Sequence, residues 1–206
     1  MREARLCAKG KRQHVVTTRR DASHPVAPNL LNRDFTATEP NKKWATDIAY
    51  IPTAQGWLYL AVILDLYSRM VVGWSMSGNC DENLAEHALE QALARRHPDA
   101  GLLHHSDRGS QYTAHAYQTC LQRYGIQSSM SRKGNCWDNA VMESFFGTLK
   151  DECVRDTFYS SHDEARSVLF VYIEAYYNRI RRHSTLGYMS PLQYESMGVV
   201  PLLQNI

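Results

Sequence analysis

The chain has 206 residues, 44% of them apolar, enough for one domain with a core plus an arm or tail. No window carries the apolar run that a membrane span needs, and the basic start Met1 to Lys11 has no apolar stretch behind it, so neither a membrane span nor a secretory signal is read. The net charge of +2 hides an asymmetry: residues 1–43 hold ten Lys/Arg against four Asp/Glu, and the remainder thirteen against seventeen. A basic arm on a mildly acidic body suits contact with phosphates, or a solvated linker. The expected setting is intracellular. Five scattered cysteines (Cys7, Cys80, Cys120, Cys136, Cys153) show neither zinc-clip spacing nor an even disulfide count, and are expected to be reduced and mostly buried.

Along the chain, Pro25, Pro28 and Pro40 mark an extended first segment. Trp44 to Ile51 reads as a strand, Pro52 to Gly56 as a turn, Trp57 to Leu66 as a strand buried on both faces, and Met70 to Met76 as a third, together an antiparallel meander. A helix follows, with Asn79 as its expected cap and Glu82 three residues on. Ala85, Ala88, Leu89, Ala92 and Leu93 make its stripe, and Pro98 stops it. Gly101 to His105 is a short strand leading to Asp107. A second helix spans about Ala114 to Tyr124, Ile126 to Met130 forms a fifth strand, and Ser131 to Asn139 is a polar loop. The third helix runs from Asp138 or Asn139 to about Cys153. The last is capped by Ser161 with Glu164, and its expected stripe is Ala165, Val168, Leu169, Tyr172, Ile173 and Tyr176. Arg179, Arg181, Arg182 and His183 cluster at its end. The order β-β-β-α-β-α-β-α predicts a mixed five-stranded α/β sheet flanked by helices, the order of the ribonuclease H-like fold. It carries an extended basic N-terminal arm and a C-terminal helix.

Three acidic residues sit where structure alone does not ask for them. Asp47 lies mid-strand in WATDIAYI, where a carboxylate is disfavoured and costly to bury. Asp107 ends a strand in HHSDRGS, at the edge where open α/β sheets bind ligands. Glu143 lies near the start of the third helix, opposite Val141, Phe145, Thr148 and Leu149. Lys150 falls almost directly below it, and Gly147 between them along the helix adds no bulk. Taken singly, each has an ordinary reading: an edge charge, a turn residue, an exposed helix glutamate. Asp65 is assigned such a role, as a turn residue before Tyr-Ser-Arg. Clustered, the three would repel one another unless protonated or neutralised by cations, and such oxygen ligands select Mg²⁺ or Mn²⁺. His104 and His105 are adjacent on a strand and point to opposite faces, so they do not converge on one metal.

Asp107 and Glu143 have thirty-five residues between them, and Glu143 is followed seven residues on by Lys150. With the words WATDIAYI, GWLYLAVILDLYSR, HSDRGSQY and SRKGNCWDNAVMESFFGTLK, and the tail YNRIRRHS with its Met-Ser-Pro, this resembles the second-frame (orfB) transposase of the insertion-sequence-three group. The likeness covers essentially the whole chain and belongs to the retroviral-integrase superfamily of D-D-E enzymes. It implies metal-dependent cleavage and strand transfer of DNA at element ends. Asp47, Asp107 and Glu143 would be the catalytic triad on two Mg²⁺ ions, with Mn²⁺ able to substitute. Lys150 would contact DNA, and Arg132, Lys133, Trp137 and Asn139 would lie near its path, although Trp137 could instead cap the core. It also implies a multimer on DNA, joining transposon ends to target, and partnership or fusion with a first-frame helix-turn-helix protein in a bacterial, nucleoid-associated setting. Residues 1–40 resemble only the residual end of that upstream region and 41–206 the integrase core with a helical tail, so a catalytic fragment or truncated copy is expected. The alternatives are a catalytically silent DNA-binding or regulatory remnant, a retroviral-type integrase, whose His/Cys zinc module has no counterpart in the N-terminal sequence, and a ribonuclease H, which would need a fourth carboxylate.

Overall fold

In the computed structural model, residues 26–198 are described; the expected residue of a helix-turn-helix region at Met1 to Arg20 lies outside them. The five strands are β1 (Lys43–Thr53), β2 (Gly56–Asp65), β3 (Val71–Ser77), β4 (Leu103–Ser106) and β5 (Gln127–Met130), in the sheet order β3-β2-β1-β4-β5. The meander β1-β2-β3 is antiparallel, and β4 and β5 join β1 in parallel through helical crossovers. The longer helices are α1 (Glu82–Arg96), α3 (His115–Arg123), α4 (Ala140–Cys153), α5 (His162–Val171) and α6 (Pro191–Gly198), with a one-turn α2 (Ser110–Thr113) ahead of α3. The expected second helix begins only at about Ala114, and neither α2 nor α6 was expected, each too short to show a full apolar stripe.

The sheet is covered on both faces. Alternate residues of β1 divide between them: Trp44 packs with α1 and α3, while Ala45, Ala49 and Ile51 pack beneath α4 and α5. Gly73 of β3 lets α1 approach closely, since a Cβ there would stand 2.2 Å from the Ala88 carbonyl oxygen. Helix α1 is capped by Asp81 rather than Asn79; the Asp81 carboxylate accepts the Leu84 N–H at 3.2 Å, directly before the first helical residue. At its far end His97 adopts φ +43°, returns its N–H to the Leu93 carbonyl, and Pro98 follows.

Helix α5 keeps its Ser161 cap, but the chain widens into a π-helical stretch at Tyr172–Tyr177. The five-residue step from Tyr172 to Tyr177 moves the apolar stripe, so Tyr177 is buried while Tyr176, expected in the core, stays exposed. Val168, ahead of that step and also expected in the core, is exposed too. Cys153 is buried as expected, whereas Cys80 and Cys120 are half-buried free thiols.

Candidate active site

Asp47 is half-buried in β1 and shares its face with Ala45 and Ala49, the face that α4 covers. Its Oδ1 accepts the Ile48 N–H at 2.8 Å. Asp107 stands one residue past β4. The parallel register pairs Trp44 with His104 and Ala45 with His105; continued two places, it brings Asp47 level with Asp107 on strands about 4.8 Å apart. An Asx turn fixes Asp107, whose Oδ1 accepts the Gly109 N–H at 2.8 Å.

Glu143 arrives from the helix above. Met142, Phe145, Phe146, Leu149 and Cys153 form the buried face of α4, rotated from the expected Val141, Phe145, Thr148 and Leu149, of which Val141 and Thr148 are half-buried; Glu143, Gly147 and Lys150 are exposed together. The start of α4 is pinned to the strand that carries Asp47, because Asn139 Nδ2 donates to the Thr46 carbonyl at 3.3 Å.

The electrostatics tie these elements together. Burial raises the Asp47 carboxyl to about 7, and the negative charges of Asp107 and Glu143 push the same way, opposed by the Ile48 N–H and by Lys150. The three carboxylates share this field without closing on a point: among the described residues, no three His, Cys, Asp or Glu side chains are gathered into a ready-made ion cage. Such an all-oxygen donor set, one member of which is raised toward neutrality by its surroundings, fits a hard divalent cation, whose charge would reverse that shift.

Of the residues expected near DNA, Lys150 and Lys133 are exposed, and Trp137 is 68% exposed and so does not cap the core. Arg132 and Asn139 also make internal hydrogen bonds. Asp138, which the sequence reading did not single out, is fully buried at the foot of the loop. It accepts Nε and Nη2 of Arg132 at 2.8 and 2.7 Å, the Arg132 N–H at 2.9 Å, Arg33 Nε at 2.9 Å and Asn29 Nδ2 at 2.9 Å. The Arg132 hydrogen bonds, above all, hold its carboxyl well below the usual range. The sequence hinted only at Arg132, six residues away. His104 and His105 serve the interior on opposite faces, His104 with the Tyr117 hydroxyl at 2.6 Å and His105 with Ser129 and Ser131 at 2.8 and 3.1 Å. Asp65 is a turn residue as expected: it accepts the Tyr67 and Asn41 N–H groups and, fully buried, faces Arg96 at 3.4 Å.

Comparison with known proteins agrees with this geometry. Residues 37–136 match one family model described as an integrase core domain, and residues 124–191 match a second of the same description. The transposase for insertion sequence element IS904 of Lactococcus lactis subsp. lactis (strain IL1403) is 49% identical over 92% of this chain and 75% of its own length. Transposase InsF for insertion sequence IS3A of Escherichia coli (strain K12) is 47% identical over 95% and 68%. The chain belongs to the IS3 family of insertion-sequence transposases. This transposase also superimposes on the HTLV-2 integrase catalytic core domain, solved with magnesium in a trimeric form. The TM-score is 0.58 at 16% identity, over 77% of this chain and 99% of that one. The ribonuclease H-like fold is therefore shared with retroviral integrases, and the chain is a transposase catalytic domain of the polynucleotidyl-transferase class. Integrase-family domains of this kind bind divalent metals. Among the described residues, no helix is long and apolar enough to cross a membrane.

Proposed function

We propose that this transposase domain cuts a DNA strand at the end of an insertion sequence and joins the freed 3′-hydroxyl to a second phosphodiester. Asp47, Asp107 and Glu143 are its catalytic carboxylates. The observation that carries the reading is the shared field at Asp47: a half-buried carboxyl on a central strand, raised to about 7 by burial and by Asp107 and Glu143. Two Mg²⁺ ions, or Mn²⁺ in their place, would supply Lewis acidity to the phosphodiester when bound. The three side chains, each from a separate element, would hold those ions between the central strands and α4, whose start is pinned to the strand that carries Asp47. Lys150 meets a backbone phosphate on the same helix face, while Lys133 and Trp137 meet DNA from the loop. Arg132 and Asn139 act through the shape of that loop. Water attacks phosphorus in the first step and the 3′-hydroxyl in the second, so no Ser or Tyr nucleophile is required.

The working form is a multimer that holds two DNA ends, with a first-frame helix-turn-helix protein or fusion supplying end recognition at the bacterial nucleoid. The test is a cleavage and strand-transfer assay on oligonucleotides bearing the element's ends. Asp47→Asn and Glu143→Gln should each lower both steps at least about 100-fold while DNA binding persists. Full metal-dependent activity in either variant would sink the assignment. DNA bound by the wild type but left uncut with Mg²⁺ or Mn²⁺ would favour a silent DNA-binding remnant.

A further inference from the structure

Beside α4, a cavity of about 480 Å³ opens between that helix and the segment that follows the π-helical stretch. One wall is α4 itself, from Ala140 and Val141 through Ser144, the residue after Glu143, to Thr148. Arg69, Arg181 and Arg182 line the rest, and no Asp or Glu lines it. Arg181 is partnered by Glu152 at 2.9 Å, and Arg69 donates to the Phe35 carbonyl at 3.2 Å. Arg182 is exposed and has no hydrogen bond or ion pair among the described residues. The cavity therefore has surplus positive charge with one uncommitted guanidinium. Its floor is aromatic, with Phe145 and Tyr177 packed edge to face at 4.9 Å between ring centroids.

At the rim stands Tyr188, 71% exposed and held at φ +61°, a conformation that an aromatic residue seldom takes. It is not a fraying end. The Tyr188 N–H donates to the His183 carbonyl at 2.9 Å, and the His183 N–H donates to the Met189 carbonyl at 3.0 Å, closing a tight loop that presents the ring. The volume suits a small molecule or a single nucleotide and is far too small for a duplex. A guanidinium fork for phosphate, an exposed ring for a base and hydroxyls on the facing wall form a set that matches one nucleotide of a single strand.

We propose that this cavity receives one unpaired nucleotide of the DNA strand running past Glu143, its phosphate on Arg182 and its base against Tyr188. The proposal rests on the reading of Glu143 as part of the cutting centre. It implies that the ends are held frayed, with one base out of the helix beside the cut.

The test uses the full chain in EDTA, so that nothing is cut, with a fluorescent duplex carrying a single-stranded tail and the same duplex blunt-ended. Wild type should bind the tailed duplex about tenfold more tightly than the blunt one, the scale of a stacked base. Arg182→Ala and Tyr188→Ala should remove that preference and keep blunt-duplex binding within about twofold, which also reports that they fold; Tyr188→Phe should retain it, since stacking does not need the hydroxyl. No preference in wild type, a preference intact in both alanine variants, or competition by a free deoxynucleoside monophosphate as strong as by the tailed duplex would overturn the proposal. Binding in EDTA involves no cutting. A failure of the carboxylate reading would thus appear in cleavage, and a failure of the cavity in binding.

Discussion

Asp47 and Asp138 are both carboxylates drawn inside the protein beside the same helix, and their surroundings are opposite. Asp138 accepts hydrogen bonds from two arginines, an asparagine and a backbone N–H, and is held strongly acidic. Asp47 accepts the neighbouring Ile48 N–H, faces Asp107 and Glu143, and is raised to about 7. Burial alone does not decide what a carboxylate is for; the sign of its neighbours does. Asp138 brings cations from within the chain and becomes a joint that shapes the loop ahead of Glu143. Asp47 gathers like charges, and under the proposed function an outside cation would stabilise it there.

The largest expected effect follows from that difference. Asp47 is raised above its unfolded value, so in metal-stripped protein both states are protonated well below pH 4 and the penalty is absent. As pH rises from about 4 to about 7 the unfolded chain releases the proton that the folded site retains, and stability falls by up to about 1.4 kcal/mol per pH unit. His104 and His105, held neutral by burial at about 3 and about 4, slope the other way, costing stability as pH drops below about 6.5. The informative quantity is therefore the difference between wild type and Asp47→Asn in urea unfolding across pH. The variant should gain on wild type between pH 4 and 7, and Mg²⁺ should raise the wild-type Tm more at pH 8 than at pH 5. Parallel profiles, or an equal Mg²⁺ effect at both pH values, would break the contrast.

Asp138 supplies the other half. Asp138→Ala removes five hydrogen bonds at a fully buried position and should cost about 2–3 kcal/mol, less than a fully enclosed ion pair because Arg33 and Arg132 are each about half exposed and recover water. Its depressed pKa adds stability that is fully present above the unfolded carboxylate value of about 3.9 and is lost progressively as pH falls below that toward the depressed folded value, the reverse of Asp47. Cleavage should fall too, through the loosened start of α4. A smaller effect separates the two cations of the loop. Lys133→Ala should leave the urea midpoint unchanged while lowering the salt dependence of DNA binding by roughly one unit of slope. Arg132→Ala should shift the midpoint itself. If Lys133→Ala destabilised and Arg132→Ala did not, their roles would be exchanged.

These particular residues also show what the sequence could carry. The shared exposure of Glu143 and Lys150 was legible because a helix has a fixed angle per residue, although the buried face is turned from the expected one to take in Met142 and Phe146. The five strands were legible from alternation and turns, and Asp47 from the cost of an acid in a strand. Asp138 was not, because its value lies in Arg33 and Asn29, 105 and 109 positions away, where no local pattern reaches. The tie of Arg132 to Asp138 was missed for the same reason: an arginine in a polar loop gives no sign of an internal partner, and its side chain is 49% exposed. Tyr176 was misplaced because a π-helical step changes the phase that a regular repeat assumes, and Asn79 because two good caps stood two residues apart.

The smallest expected effect tests the track between Glu143 and Lys150. Gly147 has no packing reason to be glycine: a Cβ built there meets nothing within 4 Å, and the residue is exposed in mid-helix. Glycine at such a position costs roughly 0.5–1 kcal/mol relative to alanine. Gly147→Ala should therefore stabilise the domain by about that amount, or about 2–4 °C per kcal/mol in Tm for a chain of this size. If the reason for glycine is a DNA backbone lying across the helix, bulk is the variable that matters. Cleavage should then decline from Gly147→Ala to Gly147→Leu while neither substitution lowers Tm below wild type. Unimpaired cleavage by the leucine variant would mean that the strand passes elsewhere, and that Lys150 meets DNA from the side of α4 rather than from above it.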